Sequence, residues 1–203
     1  MSKKSIVVGL TGNIATGKST ILAYLTGKGA YVIDADKLSH KSMTPDGPAY
    51  PNIVGHFGET ILNDDRTINR PALGKIVFSD PTELKQLESF IHPAVVEMAA
   101  QEIANTEAKV VILEAIKLLD GGRTITLCDK IWVITAHPDI QLHRLIHDRG
   151  MDATEAQQRM DVQSSQAEKA AKADVVITNN GTPQELHQQL DALWDKLQEE
   201  FAG

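Results

Sequence analysis

The chain has almost no cysteine, no stretch apolar enough to cross a bilayer and no excess of positive charge. Cys128 is the single cysteine among 203 residues, which excludes an internal disulfide. With no local Cys/His signature around it, Cys128 reads as a small core residue rather than a nucleophile. No apolar run approaches the roughly 20 residues a membrane span needs. Met1-Ser2-Lys3-Lys4 leads into a strand-like segment instead of a signal-peptide stretch, so a reduced, cytoplasmic setting without membrane contact is expected. Lys and Arg number 20 against 27 Asp and Glu, a formal net charge of -7, which argues against a sequence-independent grip on nucleic acid. Anionic ligands must then be held by a few placed cations. Also missing are the Asn-Lys-x-Asp segment that reads guanine, the Leu-Ser-Gly-Gly-Gln signature of transport ATPases, internal repeats and low-complexity tracts.

What is present begins with a phosphate-binding pattern. Gly12-Asn13-Ile14-Ala15-Thr16-Gly17-Lys18-Ser19 fits GxxxxGK[ST] and follows the β-branched run Ile6-Val7-Val8-Gly9-Leu10, the strand, loop and helix order of a P-loop. Chance would produce the pattern in roughly one unrelated chain of this length in a hundred. The glycines let successive N–H groups point into one concavity, and the helix starting near Gly17 adds the positive end of its dipole. A triphosphate suits that concavity, with Lys18 at its β and γ phosphates, Thr20 beside it, and the Ser19 hydroxyl completing the shell of a Mg²⁺.

Strand-like and helix-like segments then alternate. Residues 31–34, 109–114, 130–135 and 174–178 are short apolar runs which, with the first strand, predict a parallel sheet covered on both faces. The spacing of Leu186, Leu190, Leu193, Trp194, Leu197 and Phe201, after a Thr182-Pro183 start, predicts a final helix packed on the core. About 70 residues separate the second and third strands, too many for a simple crossover, so an insertion is expected. It contains a turn at Asn63-Asp64-Asp65 and helical spacing in Leu84, Leu87, Ile91, Val95 and Met98. His92-Pro93 predicts a kink or two successive helices. Residues 149–172 are polar with little apolar periodicity; a helix that cannot bury a face suggests a lid.

Ligands of open α/β sheets bind at the carboxyl ends of the strands. Asp34-Ala35-Asp36 falls there, where a carboxylate can orient a hydroxyl or accept its proton. Asp36 is read as the cap of the next helix, which leaves Asp34 as the base. Phosphoryl transfer needs cations around the moving group, and Arg149 and Arg159 in the lid suit that need, with Arg144 weaker on spacing alone. Glu114 reads equally as a magnesium-shell carboxylate or the polar end of a strand. His143 and His147 have ligand spacing, but the acid of HExxH is missing between them, so no metal site is expected there.

These residues lie in an order that resembles the dephospho-CoA kinase family. The resemblance rests on Gly9-Leu10-Thr11-Gly12, Asp34-Ala35-Asp36, Phe57-Gly58, Asn69-Arg70, Leu73 and His92-Pro93. Further along it rests on Gln141, Arg144-Leu145, Arg149, Arg159, Gln163, Ala173-Asp174, Ile177, Asn179 and Gly181. It implies a three-layer α/β P-loop kinase fold with a five-stranded parallel sheet, a helical substrate-binding insertion and a lid. The implied domains are a core of residues 1–35, 109–148 and 166–203, a substrate domain of 36–108 and a lid of 149–165. It also implies ATP-dependent phosphorylation of the ribose 3′-hydroxyl of dephospho-CoA, with Mg²⁺, in a monomer or small homo-oligomer.

By the same resemblance Asn179, Gly181 and Arg149 join the P-loop residues in binding ATP, and Asp34, Asp36, Arg70, His92 and Arg159 serve the acceptor, to which Lys117 is added outside the family pattern. The chain departs from the family's Pro-Leu-Leu-Phe-Glu after the third strand, reading Ala115-Ile116-Lys117-Leu118-Leu119-Asp120-Gly121-Gly122, where Lys117 is a substitute cation. Two alternatives remain open: another small-molecule kinase of this architecture, such as a shikimate kinase, and a nucleotide sensor that uses closure to control a partner.

Overall fold

A computed structural model describes residues 5–119, 121 and 123–202; of the segments named above, Met1–Lys4, Asp120, Gly122 and the side chain of Phe201 lie outside the described residues. In chain order the elements are β1 (Ile6–Gly12), α1 (Lys18–Gly27), β2 (Tyr31–Asp34), α2 (Ala35–Ser42), α3 (Tyr50–Phe57), α4 (Arg70–Ser79), α5 (Pro81–Asn105), β3 (Val110–Glu114), β4 (Lys130–Thr135), α6 (Pro138–His143), α7 (Ala153–Asp161), α8 (Gln166–Ala170), β5 (Val175–Thr178) and α9 (Pro183–Ala202). A π-helical turn, Arg144–Asp148, continues α6.

The five strands form one sheet in the order β2-β3-β1-β4-β5. The described ladders β1–β3, β1–β4 and β4–β5 are all parallel. Val110, Val111, Ile112 and Leu113 are each at most 1% exposed, which is why β3 is apolar on both faces instead of alternating. Val8, Leu10, Ile112, Trp132 and Ile134 pack with Ile21 and Leu25 of α1 and with Leu186, Leu190 and Leu197 of α9. The stripe on α9 is core packing, as its spacing predicts, and Thr182 and Glu185 close its first turn.

The chain divides into two compact units, Met1–Ile33 with Ile103–Gly203, and Asp34–Glu102. The second unit has its own core of Ala49, Ile53, Ile61, Leu73, Val77, Leu87 and Ala94. The expected turn at residues 63–65 is there: Arg66 takes a positive φ of 68°, its N–H bonds the Asn63 carbonyl, and Leu62 bridges Ile68 antiparallel. At His92-Pro93, of the two expected alternatives, a kink or two successive helices, the second is ruled out, since α5 runs unbroken through Pro93. Pro93 and Ser89 both face solvent, so the carbonyl that loses its partner is exposed to water. Leu87 and Ala94, on either side of the proline, are held in one apolar cluster, which offsets a penalty of about 3 kcal/mol.

Candidate functional site

The loop after β1 is shaped by backbone constraints. Gly12 faces Ile134 across the β1–β4 ladder, and a Cβ there would come within 2.6 Å of the Ile134 carbonyl oxygen. Gly17 stands at φ 99°, and a Cβ on it would lie 2.2 Å from the side-chain nitrogen of Asn179. Both positions therefore require glycine. Between them Ala15 also takes a left-handed conformation, φ 58°, a strain of about 1–2 kcal/mol that the surroundings must hold. The Thr16 hydroxyl turns inward to the Asn13 carbonyl at 2.8 Å, and Lys18 Nζ donates to the Gly12 carbonyl at 2.7 Å.

A set of polar side chains holds the loop from other elements. Arg144 donates to the Ala15 and Asn179 carbonyls, each at 3.1 Å. Asn179 Nδ2 donates to the Thr16 carbonyl at 2.8 Å. Gln163 Oε1 accepts from the Ile14 N–H at 2.8 Å, Gln141 Nε2 donates to the Ile14 carbonyl, and Asn13 Nδ2 donates to the Ser164 carbonyl at 3.0 Å. The buried ammonium of Lys169 donates to Asn13 Oδ1 at 2.8 Å. Arg144, weak on spacing alone, thus grips the loop, and Lys169, one of the cations of the polar stretch 149–172, joins it. Buried polar residues carry no periodicity that would single them out; the resemblance carried Gln141 and Gln163, without a role.

A cleft of about 390 Å³ opens beside this loop, lined by Gly17, Ser19, Thr20, Arg149, Asn179 and Gly181 among others. With Ala15, seven expected ATP-binding residues therefore share one cavity, with Arg144 and Asp148 added to its wall. The hydroxyls of Ser19 and Thr20 and the guanidinium of Arg149 make no hydrogen bond or ion pair among the described residues. Arg149 follows the π-helical turn, a distortion that recurs at functional sites, and Gly150 turns the chain at φ 64°.

The stretch read as burying no face does bury one. Ala156 of α7 is fully buried with Ala15 and Leu145, and Met160, Met151, Leu142, Ile146 and Ile14 pack around them. Its apolar face consists of one alanine and one methionine, too small a stripe to stand out among glutamines and acids. Asp152 caps α7, and the backbone N–H groups of Glu155 and then Thr154 hold its carboxyl below the usual aspartate range. Arg159 lies on the exposed side of α7 and pairs with Glu155 at 2.8 Å.

The remaining expected residues are placed as follows. Asp34, not Asp36, is the helix cap, which reverses the reading of that pair: its Oδ1 accepts the Lys37 N–H at 3.0 Å and its Oδ2 meets Lys37 Nζ at 3.1 Å. Asp34 is chosen because it keeps extended backbone, φ -99° and ψ 104°, whereas Asp36 is already inside the first turn of α2. The two carboxylates offer oxygens within 4.8 Å of one another. Arg70 opens α4, which Asn69 caps through the Ala72 N–H at 3.0 Å. His92 is half-buried on α5. Lys117 is exposed in the turn after β3, next to the buried Leu118, and Glu114 is buried at the end of that strand. His143 and His147 are exposed, with ring centroids 4.3 Å apart. No helix among the described residues is long and apolar enough to cross a membrane.

Comparison with known proteins adds to this geometry. A family model described as dephospho-CoA kinase matches residues 6–185. The dephospho-CoA kinase of Geobacter sulfurreducens is 40% identical over 193 residues, covering 94% of this chain and 98% of that protein. That of Geobacillus kaustophilus is 40% identical over 200 residues, covering 96% and 99%. Among solved structures, the dephospho-CoA kinase from Campylobacter jejuni superposes with a TM-score of 0.70 at 27% identity, over 96% of this chain and 98% of that one.

Proposed function

The chain belongs to the dephospho-CoA kinase family, and we propose that its P-loop cleft is the donor half of the site for that family's reaction, the ATP-dependent phosphorylation of dephospho-CoA that completes coenzyme A synthesis. The observation that carries the reading is the cleft beside Gly17, lined by the hydroxyls of Ser19 and Thr20 and the guanidinium of Arg149, none of which has a partner among the described residues. A polyanion is the ligand that such a set fits.

In this reading the backbone of residues 12–17 and the ammonium of Lys18 hold the ATP phosphates, while Asn179 and Gly181 border the nucleoside end. The chemistry of the donor set fits a magnesium ion carried in with the nucleotide: Ser19, at the start of α1, would hold it through a hard hydroxyl oxygen, and such an ion would supply charge neutralisation to the phosphates. The residues of the acceptor side are Asp34, Asp36, Arg70, His92, Lys117 and Arg159. Asp34 receives the proton of the 3′-hydroxyl as its oxygen bonds to the γ-phosphorus, and ADP leaves with the electrons of the broken bond. Among the described residues its second carboxylate oxygen is engaged by Lys37 alone, an exposed side chain that exchanges readily with solvent. Arg149 stabilises the charge on the transferring group.

The unit of residues 34–102 serves as the substrate domain, and residues 149–165 move as the lid. The protein works in the cytoplasm as a monomer or small homo-oligomer, without nucleic acid or membrane. Coupled measurement of ADP release with dephospho-CoA, shikimate and nucleosides as acceptors tests the assignment. Turnover with dephospho-CoA alone supports it, and turnover with either of the others but not dephospho-CoA overturns it.

A further inference from the structure

A planar trans peptide sets its C=O and its N–H on opposite sides, so a group that holds a carbonyl also aims the N–H of the next residue. Three successive carbonyls of the P-loop are held from outside it: that of Ile14 by Gln141, that of Ala15 by Arg144 and that of Thr16 by Asn179. The first of these controls the Ala15 N–H. Ala15 stands at φ 58° and lines the cleft, and its N–H makes no hydrogen bond among the described residues. With the Ile14 carbonyl drawn to Gln141, that N–H is turned the other way, available to an anion.

Gln141 can hold a carbonyl only through its side-chain nitrogen, and an amide side chain can present either end. Gln166, the first residue of α8, decides which. It meets the Ala136 peptide, just beyond β4, at both ends: its Oε1 accepts the Ala136 N–H at 2.9 Å and its Nε2 donates to the Ala136 carbonyl at 2.9 Å. Reversing that amide would set donor against donor and oxygen against oxygen, so the backbone admits one orientation. The other hydrogen on Gln166 Nε2 goes to Gln141 Oε1, at 2.9 Å. The oxygen of Gln141 is thereby committed to Gln166 and its nitrogen to Ile14. Gln141 is 2% exposed, so an amide turned the wrong way there would leave buried polar groups unpaired.

We propose that Gln166 is a positioning residue for ATP: through Gln141 it sets the direction of the Ile14–Ala15 peptide and so presents the Ala15 N–H to the phosphates. The proposal rests on the kinase reading above and extends it to a side chain two hydrogen bonds removed from the loop. The relay holds Ala15 in its strained left-handed conformation before any nucleotide arrives. The ligand then meets a loop already in its binding shape, which lowers the cost of association.

Substitution can reverse the relay without removing bulk. Gln166→Glu still accepts the Ala136 N–H but donates nothing, so the Gln141 amide turns its nitrogen to the new carboxylate and its oxygen to the Ile14 carbonyl. A carboxylate in the first turn of α8 suits the helix, whose cap is Ser165. Affinity for a non-hydrolysable ATP analogue, read by calorimetric titration, is expected to fall about tenfold or more. Gln166→Met, of similar size, leaves Gln141 unsteered and should cost about threefold. A double variant separates the relay from the added charge. Gln141→Met has no amide to turn, so adding Gln166→Glu to it should change affinity less than about twofold.

A tenfold loss that persists in the Gln141→Met background would be an effect of charge or packing and overturns the relay, as does an affinity unchanged by Gln166→Glu. KM for dephospho-CoA should stay within about twofold in Gln166→Glu, because the peptide faces the donor. An equal rise for both substrates would be general loosening of the fold and also overturns the relay. Failure of the wild type to bind the analogue would instead overturn the kinase reading, and the relay with it.

Discussion

The side-chain amide of Asn179 donates to the backbone carbonyl of Thr16 at 2.8 Å, across 163 residues of sequence, and the same amide lies where a side chain on Gly17 would have to go. The loop after β5 is thereby fastened to the P-loop at the residue that opens α1. Asn179 is buried, so truncating it leaves the Thr16 carbonyl without its partner in a site closed to water. Asn179→Ala should weaken ATP about fivefold to tenfold, the equivalent of one net hydrogen bond of about 1 kcal/mol. Titration with a non-hydrolysable ATP analogue measures this, and an unchanged affinity would reduce Asn179 to a purely structural tie.

Lys18 closes on the loop through the Gly12 carbonyl and starts the following helix. Lys18→Ala should abolish turnover while leaving the far-ultraviolet circular dichroism unchanged, because alanine at the first position of α1 favours the helix as well as lysine does. Retained activity would contradict the phosphate cradle proposed for residues 12–19.

Asp34 combines two roles that separate by substitution. Asp34→Asn preserves an oxygen for the Lys37 N–H and so keeps the cap of α2, but it cannot take a proton. It should lower kcat by roughly 10²-fold or more with little change in stability. Asp34→Ala should lose the same activity and also about 1 kcal/mol of stability from the missing cap. A normal kcat in Asp34→Asn, with a defect in Asp36→Asn, would move the base to Asp36.

The sheet and the P-loop were legible because their signals are local and redundant. Uninterrupted β-branched runs mark strands buried on both faces, and the glycine spacing reports a backbone path no other residue can follow. The capping of α2 was not legible, since Asp34 and Asp36 share one turn and only the backbone conformation decides between them. The face of α7 was hidden because Ala156 buries completely without being strongly apolar. The clamp on the P-loop was hidden for a different reason: Gln141, Gln163, Lys169 and Arg144 reach the loop through hydrogen bonds to residues more than a hundred positions away. Pro93 did not split the helix because the cost of a proline in a helix depends on which side of the helix it faces.

Arg149 and Arg159 should behave differently. Arg149 lines the cleft with no partner among the described residues, whereas Arg159 is paired with Glu155 on exposed surface. Arg149→Ala should reduce kcat by roughly 10²-fold with a much smaller change in ATP affinity, since charge on the moving group develops only in the transition state. Arg159→Ala should show itself in KM for the acceptor. If Arg149→Ala instead raised KM for ATP at constant kcat, its contact would be a ground-state one.

The cap of α7 makes that helix sensitive to acid. Backbone N–H groups of Glu155 and Thr154 hold the Asp152 carboxyl below its ordinary range, so Asp152 binds its proton less readily folded than unfolded. A depressed carboxylate contributes stability at pH values above its unfolded pKa, and that contribution is lost as the pH falls through the lower, folded value. The window therefore opens below about pH 4, the usual aspartate value. Asp152→Asn retains an oxygen for the same two N–H groups and has nothing to titrate. Amide exchange in residues 153–161, followed from about pH 5 to about pH 3, should show wild-type protection falling and the variant's remaining flat. Identical acid profiles for the two proteins would show that α7 is held by the packing of Ala156 and Met160 alone.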